Sequence, residues 1–428
     1  MVAAVFVLST SFPAGAQGTD TTSSVAPPTT APSGTVVSGV LTFGGHPVAG
    51  VKLTASKGST AVARSTSNAK GEWSLVVPGP GTYRLRLDTS TLPKGVQATR
   101  PELPNFRVFG TFAQHALFTL TGENAHESTG PSRFNRFANL FVSGIRFGLI
   151  VGLCSVGLSI IYGTTGLVNF AHGELVTFGA LIAWLFSTMS SGPRLSLFVA
   201  AAIALVASGL LGATLELVVF RPLVRRRSGA VARMLVSIGL ALFLRYIYQV
   251  VFSGNPRSYR QYSAQSPTKI GPLQFPPRDY VVMAVCLAAL LAVGLVVQTT
   301  RLGTAIRAVA DERDLASASG IDVRRVVLTV WVGGAMLAGL GGILLAVSQS
   351  VQWNMGFQLL LTMFAAVVLG GLGSIYGAMV GGLVVGIGSE VGTYWLPSDF
   401  KFAIALAILI VVLLVRPQGI LGVRERIG

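Results

Sequence analysis

The segment Gly163–Trp184, GTTGLVNFAHGELVTFGALIAW, decides how this chain folds. It lies within a long apolar region, yet it carries Asn169, His172 and Glu174 within six residues. Polar groups at membrane depth are costly, so they usually face a protein interior or an aqueous path. Three glycines also interrupt the segment: Gly163, Gly166 and Gly173. They indicate a broken or closely packed helix, although a polar turn just outside the bilayer would give the same local pattern.

The composition places the chain among multi-span membrane proteins. Of its 428 residues, 51% are hydrophobic and 11% are charged, with a mean hydropathy of +0.66, whereas an ordinary soluble domain has about 25% charged residues. The formal net charge of +16 does not indicate nucleic-acid binding, because Lys and Arg lie largely in short clusters between apolar runs. The two cysteines, Cys154 and Cys286, both lie in apolar runs, which argues against a disulfide framework or a Cys-based metal site.

The N-terminal residues predict export. Residues 1–16, MVAAVFVLSTSFPAGA, form a short apolar run that ends in Ala14-Gly15-Ala16, as at a signal-peptide cleavage site. An uncleaved anchor is the alternative, and the lack of a basic region before the run leaves open whether Met1 is the true start. Residues 17–35 are rich in Thr, Ser and Pro, which is typical of a flexible linker.

From residue 36 to about residue 120, apolar and polar residues alternate. The clearest alternating runs are Gly39-Leu41-Phe43, Val51-Leu53-Ala55, Trp73-Leu75-Val77 and Tyr83-Leu85-Leu87. Short alternating strands separated by turn residues predict a small all-β sandwich with one buried face per sheet. We interpret the isolated His46 and His115 as solvated surface residues and not as metal ligands. A polar linker, 121–136, leads to the membrane region.

From Phe137 to the end, apolar segments predict about eight or nine membrane spans. We place helices at 140–162, 166–187, 195–220, 231–252, 279–298, 327–348, 357–372, 376–396 and 400–415. A helix needs about 20 residues to cross the hydrocarbon core. The segments 166–187, 357–372 and 376–396 are those that we expect to be short, broken or re-entrant.

Basic clusters set the predicted orientation. They are Arg221–Arg233, Arg301–Arg325 and Arg416–Arg426, and all three should be cytoplasmic. With the β-domain outside, the number of crossings must be odd, so nine fits and eight would require a re-entrant segment. The loop 253–278 is also basic, but it is rich in Pro and we place it outside. The sequence thus predicts a multi-pass cell-membrane protein with a cytoplasmic C-terminus.

The second basic cluster belongs to the loop 300–326, TRLGTAIRAVADERDLASASGIDVRRV, which predicts a short amphipathic helix. Arg307, Asp311 and Asp314 fall on its polar side, three or four residues apart, where opposite charges can interact. Gly320 ends the run in the way that a C-cap glycine does. A rigid helix with a charged face suits docking to a partner protein, and an ordinary solvated connector is the alternative.

Several ordered motifs strongly resemble those of permease subunits in branched-chain amino acid ABC importers. The motifs are YGTTGLVNFAHGELVTFGA (162–180), FRPLVRRR (220–227), TRLGTAIRAVADERDLASASGID (300–322), VVLGGLGSIYGAMVGGLVVG (367–386) and RPQGILG (416–422). The resemblance runs from residue 137 to residue 428. It is less specific for the solute, because urea and short-amide permeases look alike.

The N-terminal region departs from typical members of that family, which lack an export signal and a β-sandwich. It resembles a carboxypeptidase-regulatory-like module instead. The residues that carry this second resemblance are GVLTFGGHPVAGVKLTA (39–55) and AKGEWSLVVPGPGTYRLRL (69–87). Such a module is informative about fold and says little about function.

The permease resemblance implies a non-catalytic subunit that forms the path of the solute. It implies cytoplasmic ATP-binding subunits that hold ATP-Mg, a second permease subunit and an extracytoplasmic solute-binding protein. No Gly-Lys pair occurs in the sequence, so the chain carries no phosphate-binding loop of its own. The residues that we place in the ATPase coupling loop are Gly303, Arg307, Asp311, Glu312, Ala316 and Gly320.

Two glycine-broken segments, 163–173 and 370–382, each interrupt an apolar run and precede a further apolar helix. Paired interruptions point to a transport path, and half-helix N-termini present free N–H groups that can meet a carboxylate. The residues predicted to line the path are Asn169, His172, Gly173, Glu174, Gly371, Gly373 and Ser374. Helix packing through small residues is the alternative for the glycines.

Other functions fit the residues less well. His172 and Glu174 lie about 200° apart around a helix, so they cannot share a ligand, and an intramembrane hydrolase or metalloenzyme is not indicated. An autonomous ion-coupled transporter or channel would need carboxylates deep in the spans, where Glu174 is the one fair candidate. An anchored envelope binding protein would need one span, not about nine. The sequence leaves open the solute, the role of residues 36–120 and whether the paired permeases are alike.

Overall fold

A computed structural model of the protein describes residues 35–43, 46–58, 60–79, 81–93, 95–108, 114–116, 118, 120–122, 133–189, 192–252, 256–259, 268–270, 273–397, 400–415 and 419–420. The predicted signal peptide at 1–16, most of the linkers at 17–35 and 121–136, and the arginines at 416, 424 and 426 lie outside these residues. The chain divides into two compact units, Met1–Thr129 and Gly130–Gly428.

The first unit is built of β-strands. In chain order they are β1 (Thr35–Val40), β2 (Thr42–Phe43), β3 (His46–Pro47), β4 (Lys52–Lys57), β5 (Thr60–Thr66), β6 (Glu72–Val77), β7 (Gly81–Leu87), β8 (Val96–Ala98), β9 (Glu102–Val108), β10 (Gln114–His115) and β11 (Leu120–Gly122). One sheet has the antiparallel order β5-β4-β7-β9, and another has the order β10-β1-β6, in which β10 runs parallel to β1. Two small pairs, β2-β3 and β8-β11, accompany them.

Burial alternates along these strands as predicted. Leu53 in β4 and Tyr83 in β7 are buried, and they share one hydrophobic cluster with Trp73 from β6 of the other sheet. The prediction of an all-β N-terminal region with buried sheet faces is therefore confirmed. His46 is exposed, as expected, and the side chain of His115 lies outside the described ones.

The second unit is helical. Its helices are α1 (Arg133–Thr165), α2 (His172–Ser187), α3 (Leu197–Thr214), α4 (Arg221–Arg225), α5 (Ala230–Phe252), α6 (Pro277–Thr299), α7 (Arg301–Asp311), α8 (Arg313–Ala318), α9 (Val323–Ser348), α10 (Met355–Gly370), α11 (Ile375–Gly392) and α12 (Lys401–Val415). A π-helical segment, Leu215–Phe220, joins α3 to α4. A short hairpin of β12 (Thr268–Ile270) and β13 (Leu273–Phe275) precedes α6.

Within the described residues, six helices are long and apolar enough to cross a membrane: α1, α3 with its continuation to Arg225, α5, α6, α9 and α11. The shorter apolar helices are α2, α10 and α12. Each of the nine predicted segments coincides with one of these helices. The segments 166–187 and 357–372 are indeed short, with 16 residues each in α2 and α10, whereas 376–396 corresponds to α11, which has 18 residues and is among the six long helices. The first helix begins at Arg133, inside the linker that we predicted for 121–136.

The central helix of the second unit is α1, whose residues from Gly148 to Ile161 are all buried. Its glycines let neighbouring helices approach closely. A Cβ atom built on Gly148 would lie 2.9 Å from the Cα of Leu383 in α11, and one on Gly157 would lie 2.7 Å from the carbonyl oxygen of Gly334 in α9. Such backbone contacts between small residues are a principal way in which helices associate in membranes.

Candidate translocation and coupling site

Two glycine-containing loops interrupt the helices, as predicted. Residues 166–171 join α1 to α2, and residues 371–374 join α10 to α11. Gly166, Gly371 and Gly373 have φ angles of +62°, +105° and +79°. Residues other than glycine rarely adopt these positive angles, so the glycines allow the chain to turn here at little steric cost.

The two predicted path segments are in contact. A Cβ atom built on Gly163, near the end of α1, would lie 3.3 Å from the Cα of Gly373 in the second loop. The Ser159 hydroxyl donates to the carbonyl of Ser374 at 3.1 Å. The Oγ of Ser374 accepts from the N–H of Gly377 at 3.0 Å, so this side chain caps the N-terminus of α11.

Gly173 lies where α2 packs closely against α10. A Cβ atom built on it would lie 2.6 Å from the carbonyl oxygen of Gly356, which stands near the start of α10. The N–H of Gly356 also donates to the Oγ1 of Thr177, one turn further along α2, at 3.0 Å. The two short helices thus touch through glycine backbones. This supports the packing alternative for Gly173.

Asn169, in the loop before α2, and His172, the first residue of α2, are fully buried. The Oδ1 of Asn169 accepts from the N–H of Ala171 at 3.0 Å, a local bond that shapes the turn into the helix. The Nε2 of His172 lies 3.2 Å from the carbonyl oxygen of Cys154 in α1. A carbonyl oxygen can only accept, so in this bond Nε2 carries the proton, which leaves Nδ1 of the neutral ring as an acceptor.

Glu174 forms a buried ion pair that the sequence did not reveal. Its Oε1 accepts from the Nε–H of Arg245 in α5 at 3.2 Å, and the two side chains are 1% and 11% exposed. The Arg245 guanidinium lies 3.6 Å from the ring centroid of Phe357 in α10. The Tyr248 hydroxyl donates to the backbone oxygen of Glu174 at 3.3 Å. Charges in apolar runs predict partners, but these two residues are 71 positions apart, so no local pattern identifies the pair.

Each of the three polar residues at the start of α2 keeps one buried polar atom without a partner in the described part of the chain. These atoms are Nδ2 of Asn169, Nδ1 of His172 and Oε2 of Glu174. An unpaired buried polar group costs about 1–3 kcal/mol, so a cluster of them is unusual in a region built only for packing. His172 contacts α1 and Glu174 contacts α5, in agreement with their predicted angular separation. Among the described residues, no three side chains form a metal-binding group.

The loop 300–326 forms two short helices and not the single helix that we predicted. At the start of α7, the Oγ1 of Thr300 accepts from the N–H of Gly303 at 3.1 Å and caps the helix. Glu312 then adopts an extended conformation, with φ −151° and ψ 103°, and α8 begins after it. Gly320, with φ +85°, follows the end of α8, as predicted. The prediction of one helix was wrong because the apolar residues keep a helical spacing on both sides of Glu312.

The two coupling helices, α7 and α8, divide their residues between a buried and an exposed face. Buried residues include Gly303, Ile306, Val309 and Ala316. The exposed charges include Arg307, Asp311, Glu312, Arg313 and Asp314. Within the described chain none of these five forms an ion pair, so Arg307 and Asp311 do not pair although their spacing allows it. The apolar Leu315, 64% exposed, lies among them.

One cavity connects the coupling helices with the predicted path. Its lining includes Arg307 and Asp311 from α7, Gly163 from α1 and Gly373 from the second loop. Predicted coupling residues and predicted path residues therefore line the same cavity. A Cβ atom built on Gly163 would also lie 3.8 Å from the Cβ of Ala310 in α7, so α7 lies directly beside the contact between Gly163 and Gly373.

A basic cavity lies beside α8. Its lining includes the arginines Arg221, Arg225, Arg233, Arg313 and Arg324, with Glu216 as the one acidic residue. Glu216 lies in the π-helical segment and accepts from the Nε–H of Arg221 at 3.1 Å. Two aromatic residues of the same cavity lining, Phe220 and Trp331, stack with 4.8 Å between their ring centroids. The basic clusters were visible in the sequence, but their meeting in one cavity required the tertiary structure.

Comparison with known proteins identifies the family of the helical unit. Residues 140–413 match the family described as branched-chain amino acid transport system / permease component. The chain belongs to this family. The predicted resemblance is therefore confirmed, and the chain is a multi-pass membrane permease. The first, β-stranded unit lies outside the matched residues.

Individual members of the family show how similar the chain is to named permeases. LivH of Salmonella typhimurium, a high-affinity branched-chain amino acid transport system permease protein, is 32% identical over 309 residues, 68% of this chain and 97% of that protein. LivH of Escherichia coli K12 is 31% identical over 300 residues, with coverage of 68% and 97%. LivM of the same strain, which bears the same system name, is 23% identical over 299 residues, with coverage of 64% and 67%.

Proposed function

We propose that this permease is one of two different membrane subunits of an ATP-driven importer for branched-chain or related amino acids. The relatives are named as branched-chain amino acid permeases, which supports this class of solute. LivH and LivM of Escherichia coli are both named permease proteins of one transport system, and both are similar to this chain. The higher identity to LivH, 31% against 23%, supports a LivH-like role beside a partner of the LivM kind.

The observation that carries the ATP-driven mechanism is the exposed face of α7 and α8. Five exposed charges without an ion-pair partner among the described residues and the exposed Leu315 form a mixed surface on α7, which Thr300 caps, and on α8. Such a surface suits a protein partner that supplies complementary charges and a small apolar pocket. ATP-binding subunits docked here would hold and hydrolyse ATP-Mg, and this chain would contribute no catalytic group.

The coupling helices are joined rigidly to the spans that they would move. The Oγ1 of Thr300 caps α7 directly after α6, and the Oδ1 of Asp322 accepts from the N–H of Arg325 at the start of α9. Along its length α9 meets the central α1 at Gly334, and it meets α2 at Gly339. A partner that pulls the coupling helices would therefore shift α9 against both helices of the first hairpin. This is the motion that alternating access requires.

The path would pass beside the start of α2 and the loop 371–374. The unpaired atoms of Asn169, His172 and Glu174 support this placement, because they offer hydrogen-bonding capacity that the present packing leaves unused. The contact between Gly163 and Gly373 would be the closed gate in this conformation. An Asn169→Ala or His172→Ala variant that assembles normally should show reduced uptake, and full uptake would exclude these residues from the path.

The basic clusters support an orientation with α7 and α8 in the cytoplasm and the β-stranded unit outside. We infer that an extracytoplasmic binding protein delivers the solute to the outer ends of the spans. The β-unit, which resembles a carboxypeptidase-regulatory-like module, would be exported into the same compartment as the binding protein.

The test is capture of an ATP-binding subunit. The chain is co-expressed with candidate ATP-binding subunits, extracted in mild detergent and purified, and ATPase activity is measured in the eluate. The coupling variant reverses two exposed charges, Arg307→Glu with Asp311→Lys. The matched control reverses the exposed surface pair Arg84 and Glu102 of the β-unit, joined at 3.0 Å, by Arg84→Glu with Glu102→Arg. Both variants keep the net charge.

Capture by the wild type and the control, with loss in the coupling variant, would support the importer and locate the docking surface. Equal capture by all three chains would place docking elsewhere. If no ATP-binding subunit is captured and uptake is abolished by proton uncouplers, transport is driven by an ion gradient. The buried pair of Glu174 and Arg245 would then be the first place to look for the coupling charge.

A further inference from the structure

A third cavity lies at the end of the helical unit opposite the coupling helices. The helix α9 begins at Val323, beside α8, and ends at Ser348, about 39 Å away at a rise of 1.5 Å per residue. The cavity follows that end. Its walls come from α1, α9, α10, α11 and α12 and from residues 349–352, and its volume is about 70 Å³, which is room for a few water molecules.

The cavity contains one charge of each sign. Lys401, at the start of α12, donates from Nζ to the Oε1 of Glu390 in α11 at 2.7 Å. The lysine side chain is 32% exposed and the glutamate side chain 8%. An ammonium group has three N–H donors and a carboxylate has two acceptor oxygens, so this single bond leaves most of their capacity free. A zwitterionic ligand would give each of these two groups a new partner of the same charge as the old one, so opening the pair for it leaves neither charge unpaired.

The remaining walls divide into a polar side and an apolar side. The polar side includes Gln349, Gln352 and Gln358, and the apolar side includes Phe147, Leu345 and Leu359. The connector that carries two of the glutamines is held in place by backbone bonds between Arg257 and Val351, at 2.9 and 2.6 Å. The lining of the cavity is therefore preformed, with charged and amide side chains on one side and an apolar wall on the other.

We propose that this cavity binds the transported amino acid as a zwitterion, with its ammonium group at Glu390 and its carboxylate at Lys401. An α-amino acid bears two opposite charges on one carbon atom, which matches two opposite charges held at hydrogen-bond distance. The apolar wall accommodates an aliphatic side chain. Urea or a short neutral amide satisfies neither charge, so the site selects amino acids. This inference rests on the proposed function and deepens it by naming the groups that recognise the solute.

The test compares three probes on the same protein, namely the full chain with the subunits that co-purify, in lipid nanodiscs. L-leucine carries both charges, L-leucinamide lacks the carboxylate, and 4-methylpentanoate lacks the ammonium group. Binding is measured by ligand-detected NMR titration. We expect the wild type to bind leucine about tenfold more tightly than either truncated probe, the usual size of one charge-assisted hydrogen bond.

The variants assign each charge separately. Lys401→Gln should abolish the preference for leucine over leucinamide and keep the preference over 4-methylpentanoate. Glu390→Gln should do the reverse. Arg84→Gln, which removes a charge from the exposed pair of the β-unit, is the control and should keep both preferences. Because each preference is a ratio within one variant, a general loss of folded protein does not change it.

Two outcomes would overturn the proposal: a wild type without preference for leucine, or variants in which all three probes weaken together. ATPase capture on the same preparation separates this result from the proposed function. If the ATP-binding subunit is captured but leucine is not preferred, the importer proposal is supported and the proposed binding site is excluded. If leucine is preferred but no ATP-binding subunit is captured, the binding site is supported and the ATP-driven mechanism is excluded.

Discussion

The ion pairs Glu174–Arg245 and Glu390–Lys401 have the same charges but differ in burial and in the groups that surround them. The first is enclosed by three helices, with its side chains 1% and 11% exposed, while the side chains of the second are 8% and 32% exposed and line a cavity. The first is supported by the ring of Phe357 and by a bond from Tyr248 to the glutamate backbone. A desolvated pair cannot lose one partner without leaving a buried charge, whereas a cavity pair can exchange its partner for a ligand. The same chemistry thus serves structure in one place and recognition in the other.

The largest effect should come from breaking the enclosed pair. Arg245→Leu leaves the Glu174 carboxylate uncompensated and should lower the free energy of unfolding by about 3–5 kcal/mol. Denaturant titration in mild detergent, followed by circular dichroism, measures this. Arg245→Leu combined with Glu174→Gln removes the stranded charge and should recover most of the loss. A single variant as stable as the wild type would show that the carboxylate is protonated or solvated.

The next effect concerns the aromatic support of the enclosed pair. Phe357→Leu keeps an apolar side chain but removes the ring face over the guanidinium, and we expect a loss of about 1–2 kcal/mol. The matched control is Phe243→Leu in α5, where the ring is 63% exposed. If both substitutions have the same effect in the same denaturant titration, the ring of Phe357 contributes only apolar area.

A smaller effect is expected at the cavity pair. Lys401→Gln removes a partly exposed ammonium group, so the free energy of unfolding should change by about 0–1 kcal/mol. The same variant should lose the preference for leucine over leucinamide, and the contrast between a small stability loss and a lost binding preference is the signature of a ligand site. A stability loss comparable to that of Arg245→Leu would make the second pair structural too.

The smallest expected effect is the dependence of each pair's stability contribution on salt concentration. Raising the ionic strength from 0.1 to 1 M shortens the Debye length from about 10 to about 3 Å and screens exposed charges more than buried ones. The cost of Lys401→Gln should fall by a few tenths of a kcal/mol, within the range of a partly exposed pair. The cost of Arg245→Leu should not change. Equal salt sensitivity would mean that water reaches both pairs.

Much of the helical unit could be predicted because its signals are local. Apolar segments of span length, the glycine interruptions before α2 and α11, and the amphipathic stretch at 300–326 are visible within windows of about 20 residues. The break at Glu312 was missed because burial continues with a helical spacing from Val309 to Ala316. The backbone conformation of one residue there overrode a favourable pattern.

The sequence by itself determined the class of the protein, the positions of its apolar helices and strands, and the segments that carry path and coupling residues. These follow from composition, periodicity and turn residues, which act over short distances along the chain. Only the tertiary structure decided the partners: Arg245 for Glu174, the Cys154 carbonyl for His172, and Lys401 for Glu390. Partner choice depends on which helix faces meet, and that is settled by tertiary packing over the whole unit. The sequence indicated neither ion pair, and the two pairs acquire different roles only where the fold buries one and opens a cavity beside the other.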